Sequence, residues 1–490
     1  MRRALRAAAA LAALLLSFAA AAQVPQALRA ALAQSNLAED DIAFALRPLD
    51  GGFGAREHQG GRAMAPASTM KLVTTMAALE LLGPNWRGRT ELRIDGRVRG
   101  GTLHGNVHLR GFADADLGVP ALLELLHALR QQGIRRIAGD IVLDRGHFTP
   151  ARSDIGLPPF DEGPEWQYNV VPDALHLAGS VLRVRLVADA HRLTVRTEPR
   201  LWGIDVRHAM TLVDGECRRW DDAWLPPEVR VTKKRRVQVL LRGIFPRGCQ
   251  RLAELQLFDR DLLANRILRQ LWADLGGALD GRVRPGTTPE GARLAGQHAS
   301  RPLAEIIRHM NKASDNAETR LLHLAIGAQA PAELRAAHAT TQAAANARIG
   351  EWIAAQGIAT DGLVLDNGSG LSRSERIAPR QLAALLHAAA DKHWAPEFIA
   401  SLPLVGVDGT MRNRLKDSPA AARARVKTGT LRDVDANAGY VRDTSGRMWV
   451  FSAMLRHDPG TKARPVLDAL IDWIARGAPD DVPVPGASAP

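Results

Sequence analysis

The texture of the chain changes twice along its length, and those changes restrict its architecture more than any single residue. From Thr90 to about Asp259 the sequence reads as short strands separated by Gly and Pro, while on either side the apolar residues recur at three and four, the spacing of amphipathic helices. Strands return only near the C-terminal end. This order predicts a domain built from both arms of the chain with the middle inserted. The domain formed by the two arms is expected to take residues 23–85 and 286–477, and the insert, one or two β-rich subdomains, takes 86–285. With 490 residues, two or three domains and an ample core are expected.

Taken in order, helix is expected over 24–39, strand over 41–49, and a turn at Gly51-Gly52. Residues 90–98 and 102–109 read as one hairpin around Arg99-Gly100-Gly101. A helix follows over 122–131 and a strand over 139–144, then a Pro- and Gly-rich stretch over 156–164. Strands are expected over 181–187, 192–197, 229–231 and 237–241. Helices are expected over 262–276, 302–310, 318–326, 331–355 and 379–389, strands over 425–427, 437–442 and 448–455, and a last helix over 464–476. The Pro-rich end, 478–490, is expected to be a flexible tail.

Met1-Arg2-Arg3, an apolar run from Ala8 to Ala20 and small residues up to Ala22 have the order of a secretory signal peptide, so 1–22 is expected to be removed on export to the periplasm. The run is at the short end for a membrane span, and no later segment is apolar enough for one. An exported chain with an even cysteine count favours a bond between Cys217 and Cys249 over two separate thiols. The net charge of +12 is mostly arginine spread along the chain. Its densest cluster, Arg230, Lys233, Lys234, Arg235 and Arg236, heads an apolar strand and has no aromatic residues interleaved. It therefore reads as a guard against strand aggregation, not as a nucleic-acid surface. The histidines are scattered without His-Glu-x-x-His, which argues against metal catalysis. No cofactor is expected.

The chemistry concentrates at Pro66-Ala67-Ser68-Thr69-Met70-Lys71, a turn running into a helix that Gly83-Pro84 stops. Ser68 and Lys71 fall one turn apart on one face, so an amine can reach a hydroxyl near the positive end of the helix dipole. A serine hydroxyl is a weak nucleophile until a base takes its proton, and a desolvated lysine can be that base. Alone, Ser-x-x-Lys says little, because Ser is also a common helix cap. Two further triplets change its weight: Ser314-Asp315-Asn316 between two helical runs, and Lys427-Thr428-Gly429-Thr430 at the end of a strand. The three in this order are the signature of penicillin-interacting serine enzymes.

The surrounding residues narrow the family. Asn311-Lys312-Ala313-Ser314-Asp315-Asn316, Asp366-Asn367-Gly368-Ser369-Gly370-Leu371-Ser372-Arg373, Gly406-Val407-Asp408-Gly409-Thr410-Met411 and Lys427-Thr428-Gly429-Thr430-Leu431 together resemble the D-alanyl-D-alanine carboxypeptidase/endopeptidase family. These are the low-molecular-mass class C penicillin-binding proteins, peptidase family S13. Gly139-Asp140-Ile141-Val142-Leu143-Asp144 and Tyr168-Asn169-Val170-Val171-Pro172-Asp173-Ala174-Leu175 resemble that family's insert. The chain departs from the pattern at Leu109-Arg110-Gly111-Phe112-Ala113-Asp114-Ala115-Asp116, where a Gly-rich Gly-Asp-Pro turn is usual.

The resemblance implies an α+β, multidomain serine-transpeptidase fold, with an antiparallel sheet flanked by helices, a helical subdomain and the β-rich insert. It implies that Ser68 attacks the D-Ala-D-X carbonyl, Lys71 takes the proton and Ser314 relays it. Asn316 would orient Lys71 and the substrate amide, and Asp315 would be structural. The backbone N–H groups of Ser68 and Thr430 would hold the oxyanion. Lys427, Thr428, Gly429 and Thr430 would line the site of the terminal carboxylate. Arg373 and Asp161 would meet the diamino-acid side chain, with a plain surface role as the alternative for Arg373. The expected partners are peptidoglycan peptides and β-lactam antibiotics, with no nucleic acid and no stable membrane anchor. A homodimer and a monomer stand as open alternatives. A β-lactamase and a catalytically silent wall-binding scaffold are the competing functions. Against the first, no Glu-x-x-Leu-Asn follows Asn316. Against the second, every residue of the three motifs is intact.

Overall fold

The computed structural model describes residues 24–51, 55–232 and 236–478. The expected signal peptide (1–22), the lysines of the basic cluster and the tail from 479 lie outside the described residues. The chain divides into two units. The first takes the N-terminal residues to Met76, Ile307–Ser314, and the chain from Gly350; the second takes Ala77–Ile306 and Asp315–Ile349.

The first unit is built on an antiparallel sheet of five strands, in the order Ala424–Leu431, Val434–Arg442, Met448–Arg456, Ile42–Pro48, Arg56–His58. The two ends of the chain therefore pair directly, with Phe44 opposite Ala453. Strand geometry sends successive side chains to opposite faces. Val441 joins the core with Phe44 and Leu46, beneath the helices Gln26–Gln34 and Arg464–Ala475. Its neighbour Tyr440 points the other way and donates its hydroxyl to the Leu386 carbonyl of helix Pro379–Ala389, at 2.7 Å. Helices thus cover both faces of the sheet, as expected. The strand Ala424–Leu431 is at its edge.

Among its described residues the second unit holds four sheets, of three, four, four and five strands. Its core is formed by these strands and the helices Val119–Gln131 and Arg260–Asp274, with Leu122, Leu126, Ile267, Leu271 and Trp272 buried together. The single hairpin expected over 90–109 is in fact two. Arg97–Arg99 pairs with Thr102–His104, whereas Arg89–Ile94 pairs with Val107–Phe112 in a different sheet. Gly96 makes the break: its φ is +81°, and a Cβ there would lie 2.1 Å from the His104 carbonyl oxygen. Two helices are also shorter than their periodicity suggests. The first is Gln26–Gln34, and the run over 331–355 splits into Ala332–Ala337 and Thr341–Ala355. At that split Thr340 accepts the Ala343 N–H at 3.0 Å, an N-cap contact that starts a new helix.

Cys217 and Cys249 are joined by a disulfide. The bond ties the turn Cys217–Arg219 to the start of strand Gln250–Leu255 across 32 residues. Closing a loop of that length restricts the unfolded chain by about 3–4 kcal/mol. The double substitution Cys217→Ser/Cys249→Ser is therefore expected to lower the thermal midpoint by several degrees in calorimetry. An unchanged midpoint would show that the bond contributes nothing to stability.

Among the described residues, no helix is long and apolar enough to cross a membrane.

Candidate active site

Ser68 sits in the 3₁₀ turn Ala67–Thr69, which runs directly into helix Met70–Leu81. Three residues later the Lys71 amine donates to Ser68 Oγ at 2.8 Å. Lys71 is fully buried, and its amine also donates to the Ser369 carbonyl at 2.5 Å. A second pair forms in the same unit. The Lys427 amine donates to Ser314 Oγ at 2.9 Å and to the Thr428 carbonyl at 2.7 Å. Ser314 has φ of +61° and sits in the break between helices Leu303–Ala313 and Asn316–Ala328. Lys427 is fully buried too, and burial pulls its pKa from 10.5 down to about 7.

Gly429 explains why the third motif needs glycine. A Cβ there would lie 2.7 Å from the Ser68 backbone nitrogen and 3.0 Å from the Pro66 carbonyl oxygen. The edge strand therefore passes directly against the turn that carries Ser68, where no side chain fits. The motif hydroxyls lie on either side. Thr428 donates to Thr410 Oγ1 at 2.8 Å. Thr430 is exposed and donates to Asp435 Oδ1 at 2.7 Å.

The remaining motif residues brace these elements. Lys312 pairs with Asp408 at 2.6 Å, and Asn311 donates to Ser401 Oγ at 2.9 Å. Asp315 caps the helix Asn316–Ala328 by accepting the Glu318 N–H at 2.8 Å, a structural part. Asn316 is in the second unit, where its amide donates to the Tyr168 carbonyl at 3.3 Å. In that unit Asp161 accepts the Glu162 N–H at 3.0 Å within its own loop. Arg373 is exposed in the first unit, 4.0 Å from Asp433. It lines an open cavity of about 640 Å³ with Arg432, Arg456 and His457.

Three residues that brace this unit carry no sequence signal of their own: Glu375, Asp435 and Thr410. Glu375 and Asp435 follow recognisable motifs but belong to no pattern of their own. Thr410 lies inside Gly406–Met411, a segment whose family resemblance implies no role for it.

A family model for the D-Ala-D-Ala carboxypeptidase 3 (S13) family matches residues 24–476. The chain belongs to this family. Members are serine-type peptidases, and this chain is one of them. The D-alanyl-D-alanine carboxypeptidase DacB of Haemophilus influenzae is 27% identical over 405 residues, 81% of this chain and 81% of the relative. A D-alanyl-D-alanine carboxypeptidase from an Actinomadura species is 28% identical over 436 residues, 86% of this chain and 79% of the other. The crystal structure of penicillin binding protein 4 (dacB) from Haemophilus influenzae aligns with a TM-score of 0.73 at 23% identity, covering 91% of this chain and 98% of that one. The fold is the same. A second structure of that protein, complexed with a β-lactam, aligns with a TM-score of 0.68.

Proposed function

We propose that this S13 peptidase cleaves D-Ala-D-X bonds of peptidoglycan stem peptides and cross-links through an acyl-enzyme on Ser68. The observation that carries the reading is the hydrogen bond between the buried Lys71 amine and Ser68 Oγ at 2.8 Å. In its neutral form that amine takes the hydroxyl proton as Oγ attacks the carbonyl carbon. Two backbone N–H groups, those of Ser68 and Thr430, hold the oxyanion. Ser314, already bonded to Lys427, passes a proton to the leaving amine. Asn316 keeps the role that the Ser-Asp-Asn triplet implies. Water then breaks the ester, returning Ser68 and releasing the shortened peptide.

Lys427 and Thr428 meet the terminal carboxylate. The hydroxyl of Thr430 has its proton committed to Asp435, so its side chain joins them only by leaving that partner. Arg373 is assigned to the peptide's diamino-acid side chain. The division into a catalytic domain (23–85 and 286–477) and an insert (86–285) belongs to the same reading, as does export by residues 1–22 to the periplasm, where the substrate is. Penicillin acylates the same serine, and its ester is hydrolysed slowly.

Intact-mass analysis after incubation with penicillin tests this directly. A single stable adduct is expected. Fast multiple-turnover hydrolysis with no adduct would make the protein a β-lactamase, and neither adduct nor turnover would favour a silent scaffold.

A pH effect follows from Lys427. In the free enzyme its ammonium is lost as pH rises through about 7, because burial disfavours the charge. The cation that meets the substrate carboxylate is then absent. KM for a D-Ala-D-Ala peptide is expected to rise above about pH 7, approaching tenfold per pH unit. A peptide ending in an amide should lack this limb. Equal pH dependence for both substrates would remove Lys427 from carboxylate recognition.

A further inference from the structure

Glu375 is a buried carboxylate that the mechanism above does not use. Nothing of it is exposed to solvent. Its two oxygens take separate backbone N–H groups, Oε1 from Gly368 at 2.7 Å and Oε2 from Gly370 at 2.9 Å. Those two peptides flank Ser369, whose carbonyl accepts the Lys71 amine. The Gly368 carbonyl accepts the Thr74 hydroxyl at 2.8 Å, one further contact with the helix that carries Lys71. Between these bonds the Ser369 N–H goes to Asn367 Oδ1 at 3.0 Å. The loop from 366 to 372 has no regular secondary structure, and the amides of Gly368, Ser369, Gly370 and Leu371 bond to side-chain oxygens. It also lies hard against the serine turn, since a Cβ on Gly370 would fall 1.8 Å from the Ala67 carbonyl oxygen.

We propose that Glu375 is a positioning residue for the Ser68–Lys71 pair. It clamps the Gly368-Ser369-Gly370 peptides so that the Ser369 carbonyl holds the Lys71 amine against the serine hydroxyl. The inference rests on the reading of Ser68 and Lys71 given above.

Filling space does not account for a carboxylate here. A buried charge is costly unless it is bonded and compensated. Burial and the nearby Asp366 push the Glu375 pKa up from 4.5 to about 7, against the two N–H donors and the Lys71 charge, which pull it down. The attraction is mutual: the Glu375 anion favours the ammonium form of Lys71 as Lys71 favours the anion. The other buried cation of this unit, Lys427, titrates near pH 7 on its own strand and is left unaltered in every variant below. Differences between variants and wild type therefore report on Glu375. Two consequences follow for Glu375→Gln. One loop N–H faces an amide NH₂ in place of an oxygen, which loosens the Ser369 carbonyl. The charge that favours protonated Lys71 is also gone, so Lys71 yields its proton at lower pH.

The test is the rate of acylation by a fluorescent penicillin across about pH 5 to 9, normalised to the titre of active serine. Glu375→Gln is expected to lower the plateau roughly 10- to 100-fold and to move the acid limb to lower pH. Glu375→Asp keeps the charge but is one methylene short of reaching both N–H groups. Its plateau falls while its limb stays with the wild type. The position of the limb does not depend on the fraction of folded protein, so it separates positioning from general destabilisation. Should the Gln variant not fold, the Asp variant decides: a wild-type plateau there overturns the proposal. A Gln variant with wild-type plateau and limb also overturns it while leaving Ser68 as nucleophile. A wild-type protein that takes no label overturns the Ser68 reading and this inference with it.

Discussion

Replacing Ser68 with Ala is expected to abolish the penicillin adduct and to cut D-Ala release by about four to six orders of magnitude. In the proposed reading the loss is large because bond cleavage runs through Ser68 Oγ and the oxyanion its attack creates. Lys71 has no proton to take without that hydroxyl. What survives is substrate binding and a polar environment for direct attack by water. The fold should not suffer. Pro66, not Ser68, is the N-cap of the turn Ala67–Thr69, and the Ser68 hydroxyl is engaged by the Lys71 amine. The helix that follows is held by its own apolar residues Met70, Leu72, Val73 and Met76, all buried. Stability is therefore expected to stay within about 1 kcal/mol of wild type. Mass spectrometry with a melting curve on the same sample separates the two effects. An adduct that persists in the variant would place the nucleophile elsewhere.

The second large effect is expected for Lys71→Met. The substitution keeps the length and burial of the side chain but removes the amine. A positioned general base contributes about 10²- to 10⁴-fold, so the acylation rate should fall by that range. Two polar atoms, Ser68 Oγ and the Ser369 carbonyl, lose a donor, at a cost of about 1–3 kcal/mol. Against that, the protein no longer buries a titratable amine in its core. The two terms oppose each other, so the melting temperature should change little while catalysis collapses. Stopped-flow acylation with fluorescent penicillin measures the rate directly. A near wild-type rate would mean that another group accepts the proton. Lys427, with its pKa near 7 and its bond to Ser314, would then be the candidate.

The parts of this protein legible from sequence are those set by short-range geometry. Residues three apart at the start of a helix share a face, so the Ser68–Lys71 contact follows from spacing alone. Alternation in 42–48 and the near-continuous apolar run over 448–455 mark strands, and both are found in the central sheet, buried along most of their length. Three triplets in order identify a chemistry because each holds its residues at fixed local spacing. The misread elements are those whose end depends on a distant neighbour. Strand Arg293–Ala299 has no clear alternation and forms because Arg89–Ile94 offers it an edge. The hairpin over 90–109 breaks where Gly96 meets the His104 carbonyl, a contact no periodicity reports.

The site divides in the same way. Sequence by itself determined the residue types offered to the proposed chemistry: a serine, two lysines, a second serine, an asparagine, and a glycine-bearing strand. Tertiary structure alone decided what holds them. Gly429 is required because the edge strand presses against the Ser68 nitrogen, more than 350 residues away in the chain (from 68 to 429). Lys427 is neutralised near pH 7 because the fold buries it, and Thr430 is turned aside because the next strand places Asp435 opposite it. Glu375 acts on Lys71 only through a loop folded against the helix. Residue type and local spacing are properties of the sequence itself. Desolvation, close backbone approach and the partner of a buried charge depend on segments brought together only when the chain is folded.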